Sequence, residues 1–286
     1  MATRQASPAS LPDLKNMRRR LARPLWLGWK RARQRMLAGR APRRWHVFVA
    51  GSQRSGTNML MEALEGSPHT DVYHESDTRA FDDYLMRPMP AIRELAARSP
   101  APIFVVKALC EIDRVPRLLE TFRPATCVWL YRDYRDVANS MLVSFRTVPA
   151  TVRRLAGDEP ASVGWWGQSM SADTHRLIQD AVSRDVSDAT MAALLWYARN
   201  ALLFESGLDR DERVFLMNYE ELVSNPDAHA GCLCEFLDLP FTSGITRHMH
   251  ARSIGRRGTP DIDGNVAEAC ELLLERLHGA KRAQEV

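Results

Sequence analysis

The stretch Val47-Phe-Val-Ala-Gly-Ser-Gln-Arg-Ser-Gly-Thr-Asn-Met-Leu-Met-Glu-Ala-Leu64 decides the fold. Its first residues form an apolar, partly β-branched run that reads as a buried strand, and from Thr57 the apolar residues recur at helical spacing. Between the two, Gly51 and Gly56 bound a loop whose backbone can bend and come close to an anion. The free N–H groups of Ser55, Gly56, Thr57 and Asn58, at the positive end of the helix, are directed at the same place. A loop that cradles nucleoside triphosphates reads G-x-x-x-x-G-K-[ST]; here the spacing from Gly51 to Gly56 is kept, but Thr57 follows at once and the lysine is missing. The basic residue stands inside the loop, at Arg54. Without a lysine that reaches β- and γ-phosphates, the loop suits a shorter 5′-terminal anion better than ATP or GTP.

Outward from this loop the same alternation repeats. Apolar runs predict strands at 46–50, 103–108, 126–131 and 213–217, the first three nearly continuous, as in a parallel sheet buried on both faces. Helices are expected at about 57–66, 113–122, 134–145, 187–206, 226–238 and 265–278; Ser187 supplies an N-cap, and Asn225-Pro226 opens a helix with proline at its first position. The pattern implies a three-layer α/β/α fold with a central parallel sheet, P-loop-like, with ligands at the carboxyl ends of the strands. Residues 144–186 carry no strand signal but contain Gly157-Asp-Glu-Pro160, Gly164 and Trp165-Trp166. They read as a helical insertion or lid over the active site, or as a helical subdomain with two core tryptophans.

Charge divides the chain in two. Of its 286 residues, the first 44 hold thirteen Lys or Arg and one acid, Asp13, for +12, and residues 45–286 carry −8. The domain therefore spans 45–286, and 1–44 is a basic arm. Leu14, Met17, Leu21, Leu25, Trp26, Leu27 and Trp29 lie among its arginines, compatible with an amphipathic helix interrupted at Pro24. Three readings follow: a helix on an anionic membrane surface or acidic partner, a helix docked on the acidic body, or a poorly ordered extension upstream of a true start at Met17 or Met36. No signal-peptide pattern and no run of 18 apolar residues occurs, and Cys110, Cys127, Cys232, Cys234 and Cys270 are odd in number and sit mostly in apolar stretches. A cytoplasmic protein with reduced thiols, peripheral to the membrane at most, is expected. Cys232-Leu-Cys234 has the wrong spacing for C-x-x-C chemistry and is assigned to the core.

A second anion receptor follows the third strand, in Cys127-Val-Trp-Leu-Tyr-Arg-Asp-Tyr-Arg-Asp-Val-Ala-Asn-Ser140. Arg132 closes the strand and Ser140 falls in the second turn of the next helix, so a guanidinium fork and a hydroxyl can meet one phosphate; Arg132 paired with Asp136 as a plain ion pair is the other reading. Two receptors at neighbouring strand ends suggest a nucleotide phosphorylated at two positions. At this point the chain resembles the sulfotransferases: Gln53-Arg-Ser-Gly-Thr57 is similar to their 5′-phosphosulfate loop, and Arg132 with Ser140 to their 3′-phosphate motif. Val214-Phe-Leu-Met-Asn-Tyr-Glu-Glu-Leu-Val-Ser-Asn-Pro226, Phe236-Leu-Asp-Leu-Pro240 and Arg256-Arg257-Gly258 resemble later segments of that family, the last of them its 3′-phosphate-contacting Arg-Lys-Gly. The resemblance implies 3′-phosphoadenosine 5′-phosphosulfate as donor and sulfuryl transfer to a hydroxyl or amine acceptor.

In-line transfer needs a base, and cations at the bridging and leaving oxygens, with no metal expected. Arg54 is placed to hold the 5′-phosphate and sulfonate oxygens, and Lys107, at a strand end, looks like the lysine of the family's Lys-x-His segment. That segment here reads Lys107-Ala-Leu109, so the family's histidine is missing and the base must come from elsewhere. Asp71-Val-Tyr-His-Glu-Ser-Asp-Thr-Arg79 resembles the place where other members present a glutamate, which makes Glu75 the expected base, with His74 and Asp77 as alternatives. Asp77 also fits an N-cap for a helix beginning near Thr78. On the helix after Ser187, Trp196 suits the core, and Trp196 or Tyr197 could stack on adenine or line the acceptor site. A P-loop kinase or NTPase and a non-catalytic anion- or membrane-binding module are the competing functions; no specific nucleic acid is expected as partner.

Overall fold

Backbone groups of a strand buried on both faces can pair only with other strands, so the continuous apolar runs must lie side by side. In the computed structural model, which describes residues 14–37 and 45–284, with the side chains of 25–36 and 45–284, they do. The elements, in order, are α1 (Leu14–Leu37), β1 (Trp45–Gly51), α2 (Thr57–Glu65), β2 (Thr70–Tyr73), the two-residue strands β3 (Phe81–Asp82) and β4 (Leu85–Met86), α3 (Met89–Arg98), β5 (Ile103–Lys107) and α4 (Val115–Thr121). They continue with β6 (Ala125–Tyr131), α5 (Tyr134–Ser144), α6 (Val148–Leu155), α7 (Ala172–Val182), α8 (Asp188–Glu205), β7 (Val214–Asn218), α9 (Tyr219–Ser224), α10 (Pro226–Phe236), α11 (Ser243–Thr246) and α12 (Gly264–Ala283). The main sheet has the order β2-β5-β1-β6-β7, and each of its pairings is parallel. β3 and β4 pair as a small antiparallel hairpin.

Successive strand residues face opposite sides. Phe48, Phe104, Val106, Trp129 and Tyr131 enter a core with α4, α5, α8 and α12. Val47, Val49, Val105, Val128 and Leu130 enter a second core with α2, α9 and α10. The sheet is thus covered on both faces, and the α/β/α fold is the expected one. Ser187 caps α8 by accepting from the Thr190 N–H, and Pro226 opens α10, as the sequence predicts. Residues 144–186 contain no strand; α6 and α7, joined by turns, pack on α8.

Four expectations are corrected. β2 was not predicted, because a four-residue strand at a sheet edge carries little apolar signal. α1 continues through Pro24, whose missing N–H removes one helical bond without ending the helix. No helix starts near Thr78; Asp77 instead closes a turn, accepting from the Arg79 N–H and guanidinium. Cys232 is exposed while Cys234 is buried, since residues two apart on a helix face different ways. All five cysteines are free thiols. The ends of the basic arm, 1–13 and 38–44, lie outside the described residues.

Candidate active site

The glycine loop owes its shape to two close approaches. Gly51 has φ 138° and Gly56 φ 95°. A Cβ on Gly51 would stand 2.1 Å from the Leu130 carbonyl oxygen, and one on Gly56 2.4 Å from the Tyr219 ring. Only glycine lets the loop lie so flat on β6 and α9. Arg54, with φ 71°, takes the left-handed conformation too, and its side chain leaves the loop toward solvent. Below it the Ser52 and Ser55 hydroxyls are hydrogen-bonded at 2.6 Å, and the Ser55 N–H donates to the Ser52 carbonyl. Gly56 then caps α2, whose first turn opens toward the carboxyl ends of β1, β5 and β6.

A cleft of about 470 Å³ opens there, lined by Arg54, Gly56, Thr57, Asn58, Glu75, Lys107, Arg132, Ser140, Arg256 and Arg257. Residues from all five predicted segments therefore converge. Ser55 is buried under the loop, and Gly258 is reached through its carbonyl, which accepts from Asn139 Nδ2 at 3.0 Å.

At one end of the cleft, β5 delivers Lys107 and the turn after β2 delivers Glu75. Lys107 is 2% exposed, and its Nζ donates to Glu75 Oε2 at 2.5 Å and to Asn58 Oδ1 at 2.7 Å. An ammonium this buried needs such partners, and together they fix the position of the Glu75 carboxylate beside the start of α2. His74 and Asp77 are elsewhere. His74 approaches Glu65 at 3.5 Å and Asp77 pairs with Arg79, both on a groove beneath α1. Of the three sequence candidates for a base, only Glu75 lines the cleft.

At the other end Arg132 is held from several sides. Its Nη2 donates to Asp136 Oδ2 at 2.8 Å and to the Ser253 carbonyl at 2.7 Å, its Nε lies 3.8 Å from Glu220, and its guanidinium stacks 4.5 Å from the Tyr219 ring centroid. The ion-pair reading of Arg132 and Asp136 is thus present within the cleft. Ser140 is met by the other arginine: Arg54 Nε donates to its Oγ at 2.9 Å. Burial, and then the charge of Arg132, lower the Arg54 pKa from its ordinary value, and burial raises that of Glu220. Two guanidinium groups that repel each other across a partly dehydrated cleft favour an anion between them. Arg257 Nη1 donates to the Asn139 carbonyl at 2.9 Å, which draws the late arginine loop onto α5.

Several site residues escaped the sequence reading. Tyr219 sits on Gly56, stacks on Arg132 and shares a 2.5 Å hydrogen bond with Ser253, so one ring joins three segments. Gln53 lines the cleft with both amide atoms buried and unpartnered. Its place inside the loop was the available signal. Trp196, fully buried, donates its indole N–H to the Arg132 carbonyl at 2.9 Å, and Tyr197 faces α12; neither lines the cleft. Trp165 and Trp166 stack at 3.9 Å, and the Trp165 carbonyl accepts from buried Arg199, which also holds the Leu109 carbonyl behind Lys107. From this insertion no residue beyond Phe145 lines the cleft. Among the described residues no cluster of three or more His, Cys, Asp or Glu is placed to hold a metal ion.

Fold and cleft together define an α/β protein with a phosphate-cradle loop at the carboxyl ends of a parallel sheet. The family model of the sulfotransferase domain matches residues 44–255, and the chain belongs to that family. Its activity is sulfuryl transfer. Among solved structures it is similar to the sulfotransferase domain of the Synechococcus PCC 7002 olefin synthase, at 14% identity over 81% of this chain and 95% of that one, with a TM-score of 0.48. The sulfotransferase domain from the curacin biosynthetic pathway gives 16%, 82%, 98% and 0.48 for the same quantities. Mouse sulfotransferase SULT7A1 complexed with PAP gives 15%, 87%, 91% and 0.44. No curated protein matches the sequence.

Proposed function

We propose that the cleft binds 3′-phosphoadenosine 5′-phosphosulfate and passes its sulfuryl group to an acceptor hydroxyl or amine, with Glu75 as base. The observation that carries this reading is the convergence of the lysine-free glycine loop, the Arg54, Arg132 and Arg257 cations, and the Lys107–Glu75 pair in one cleft. The residues fit such a donor. The glycine cradle tolerates no Cβ, and Arg54 and Arg132 oppose each other across a space suited to an anion. The donor supplies a sulfuryl group on an activated sulfur–oxygen bond. Ser55, Gly56, Thr57 and Asn58 with Arg54 bind its 5′ end, and Arg132, Ser140, Arg256, Arg257 and Gly258 its 3′-phosphate.

Glu75 takes the proton of the acceptor hydroxyl as that oxygen bonds to sulfur and the bond from sulfur to the 5′-phosphate oxygen breaks; Lys107 stabilises the negative charge left on that oxygen, and 3′,5′-bisphosphoadenosine leaves. Because Lys107 holds Glu75 at 2.5 Å, base and cation are aligned before the acceptor arrives. Exposed Val143 and Phe145 at the cleft mouth suit an acceptor with an apolar portion. The free thiols fit a cytoplasmic location, and residues 1–44, at +12, are the segment on which an anionic surface or acidic partner would be met.

The test is calorimetric binding of 3′,5′-bisphosphoadenosine in the presence of a chelator, together with transfer from isotopically labelled donor to a panel of phenols, glycans, lipids and peptides. Saturable, magnesium-free binding and a labelled product are expected. Magnesium-dependent binding of ATP with no bisphosphate binding would return the cleft to the kinase reading.

A further inference from the structure

Helix α1 divides into two faces. One is docked: Lys30 and Gln34, each 3% exposed, reach the body, Lys30 Nζ donating to the Glu65 carbonyl at 2.7 Å and Gln34 Nε2 to the Pro68 and Thr70 carbonyls at 2.9 and 2.8 Å. The other face is open and apolar. Leu25, Trp29 and Met36 are 78%, 49% and 76% exposed, and with exposed Ala32 they recur at the three- and four-residue spacing of one helical stripe. Arg33 and exposed Arg35 flank that stripe, Trp26 stacks on Trp29 at 4.9 Å, and Arg33 lies 5.5 Å from the Trp29 ring. In the sequence, apolar residues continue upstream at the same period, at Leu14, Met17 and Leu21, between Lys15, Arg18, Arg19, Arg20 and Arg23.

This is not the surface of a helix that merely packs on the body. A helix whose only task were docking would turn its apolar residues inward and its polar ones to water; here a lysine and a glutamine are buried while a tryptophan, a leucine and a methionine face out. We infer that the outward face of α1 docks on an anionic lipid bilayer, lying in the interface plane with Leu25, Trp29 and Met36 among the acyl chains and the arginines at the headgroups. One observation favours a bilayer over an acidic protein, and the charge fits an anionic surface of either kind. The apolar stripe is central, with cations beside it that can snorkel to phosphate level, and tryptophan is suited to that boundary. The charge is complementary as well, since +12 over residues 1–44 adjoins a body of −8, which an anionic surface attracts only through the arm.

The docking also has a direction. Gln34 lies beside Thr70 at the start of β2, and Leu27 and Arg31 share a groove with His74, Asp77 and Thr78 beyond its end. α1 therefore runs antiparallel to β2, and its N-terminal end is directed toward the carboxyl ends of the strands, where the cleft opens. The inference does not depend on which group the cleft transfers.

The test is co-sedimentation of the full chain with vesicles of phosphatidylcholine alone or mixed with phosphatidylglycerol. Partition should be at least tenfold stronger on the anionic vesicles and should fall as salt is raised. A triple variant, Leu25→Glu, Trp29→Glu and Met36→Glu, should lose about tenfold or more of that partition while its thermal midpoint and bisphosphate affinity stay unchanged. Three results would overturn the inference: no partition, equal partition on neutral and anionic vesicles, or a triple variant that binds like the parent. Retention by acidic protein or DNA in place of vesicles would overturn it too. Loss of nucleotide binding by parent and variant alike would instead touch only the donor assignment.

Discussion

Glu75→Gln is the most informative single substitution. The amide keeps the size and shape of the carboxylate, and Lys107 Nζ, now 2.5 Å from Glu75 Oε2, retains an oxygen acceptor there as well as Asn58 Oδ1 at 2.7 Å. What is lost is the charge on one partner of a buried pair, with Lys107 2% exposed and the Glu75 side chain 18% exposed. Breaking such a pair outright costs about 3–5 kcal/mol, and the amide with its remaining acceptors should hold the cost below that range, at about 2–3 kcal/mol. The fold should survive that loss. Catalysis should not: an amide cannot take the acceptor's proton, and removing a general base lowers turnover by about 10²–10⁴. The nucleotide cradle lies with Arg54 and Arg132, so bisphosphate affinity should change by less than about threefold. The assay pairs initial rates of labelled sulfuryl transfer with calorimetric titration of 3′,5′-bisphosphoadenosine. Near-parental turnover would refute the role given to Glu75, and equal losses in turnover and nucleotide binding would show that the residue shapes the cradle.

Three further substitutions probe other parts of the account. Gly56→Ala places a methyl 2.4 Å from the Tyr219 ring at φ 95° and should cost about 2–4 kcal/mol from strain and overpacking; in a Tyr219→Ala background the same change should cost at least about 1 kcal/mol less, as a double-mutant cycle by denaturant unfolding would show. Arg132→Ala removes a cation from the cleft end proposed for the 3′-phosphate and should weaken bisphosphate binding about tenfold or more while affecting 5′-adenosine monophosphate far less, measured by titration of both nucleotides. Lys30 is buried under α1, and desolvation lowers its pKa from 10.5 to about 8. Between those values the unfolded chain holds a proton that the folded chain has released, so this residue's contribution to stability rises with pH across that window, by at most about 3 kcal/mol. Unfolding free energies from pH 7.5 to 10.5 should show that rise in the parent and not in Lys30→Met; identical slopes would contradict it.

The legible part of this protein was the part encoded locally. Val47 to Leu64 fixes a strand, a bend and a helix within eighteen residues, and glycine spacing announces the cradle. Arg132 and Ser140 were readable for the same reason, since strand end and helix turn are adjacent in sequence. What was not legible depends on contacts between distant segments. Nothing near Tyr219 says that its ring will close over Gly56 and Arg132, because those partners lie far away along the chain. Ser140 was expected to join Arg132 on one phosphate, yet the shorter reach belongs to Arg54. The edge strand β2 was missed because Thr70-Asp-Val-Tyr73 offers one buried face and only four residues, and yet that strand carries Glu75 to its place. The arm left three readings open. In the structure Lys30 and Gln34 of its second half are buried against the body, a contact that a polar residue in an amphipathic pattern cannot announce.

One titration reaches the proposed two-phosphate receptor most directly. In a chelator, 3′,5′-bisphosphoadenosine should bind the full chain saturably and displace labelled donor, more tightly by about tenfold or more than either adenosine monophosphate phosphorylated at one position. Equal affinity for the 5′-monophosphate and the bisphosphate, or binding that appears only with magnesium and ATP, would contradict it.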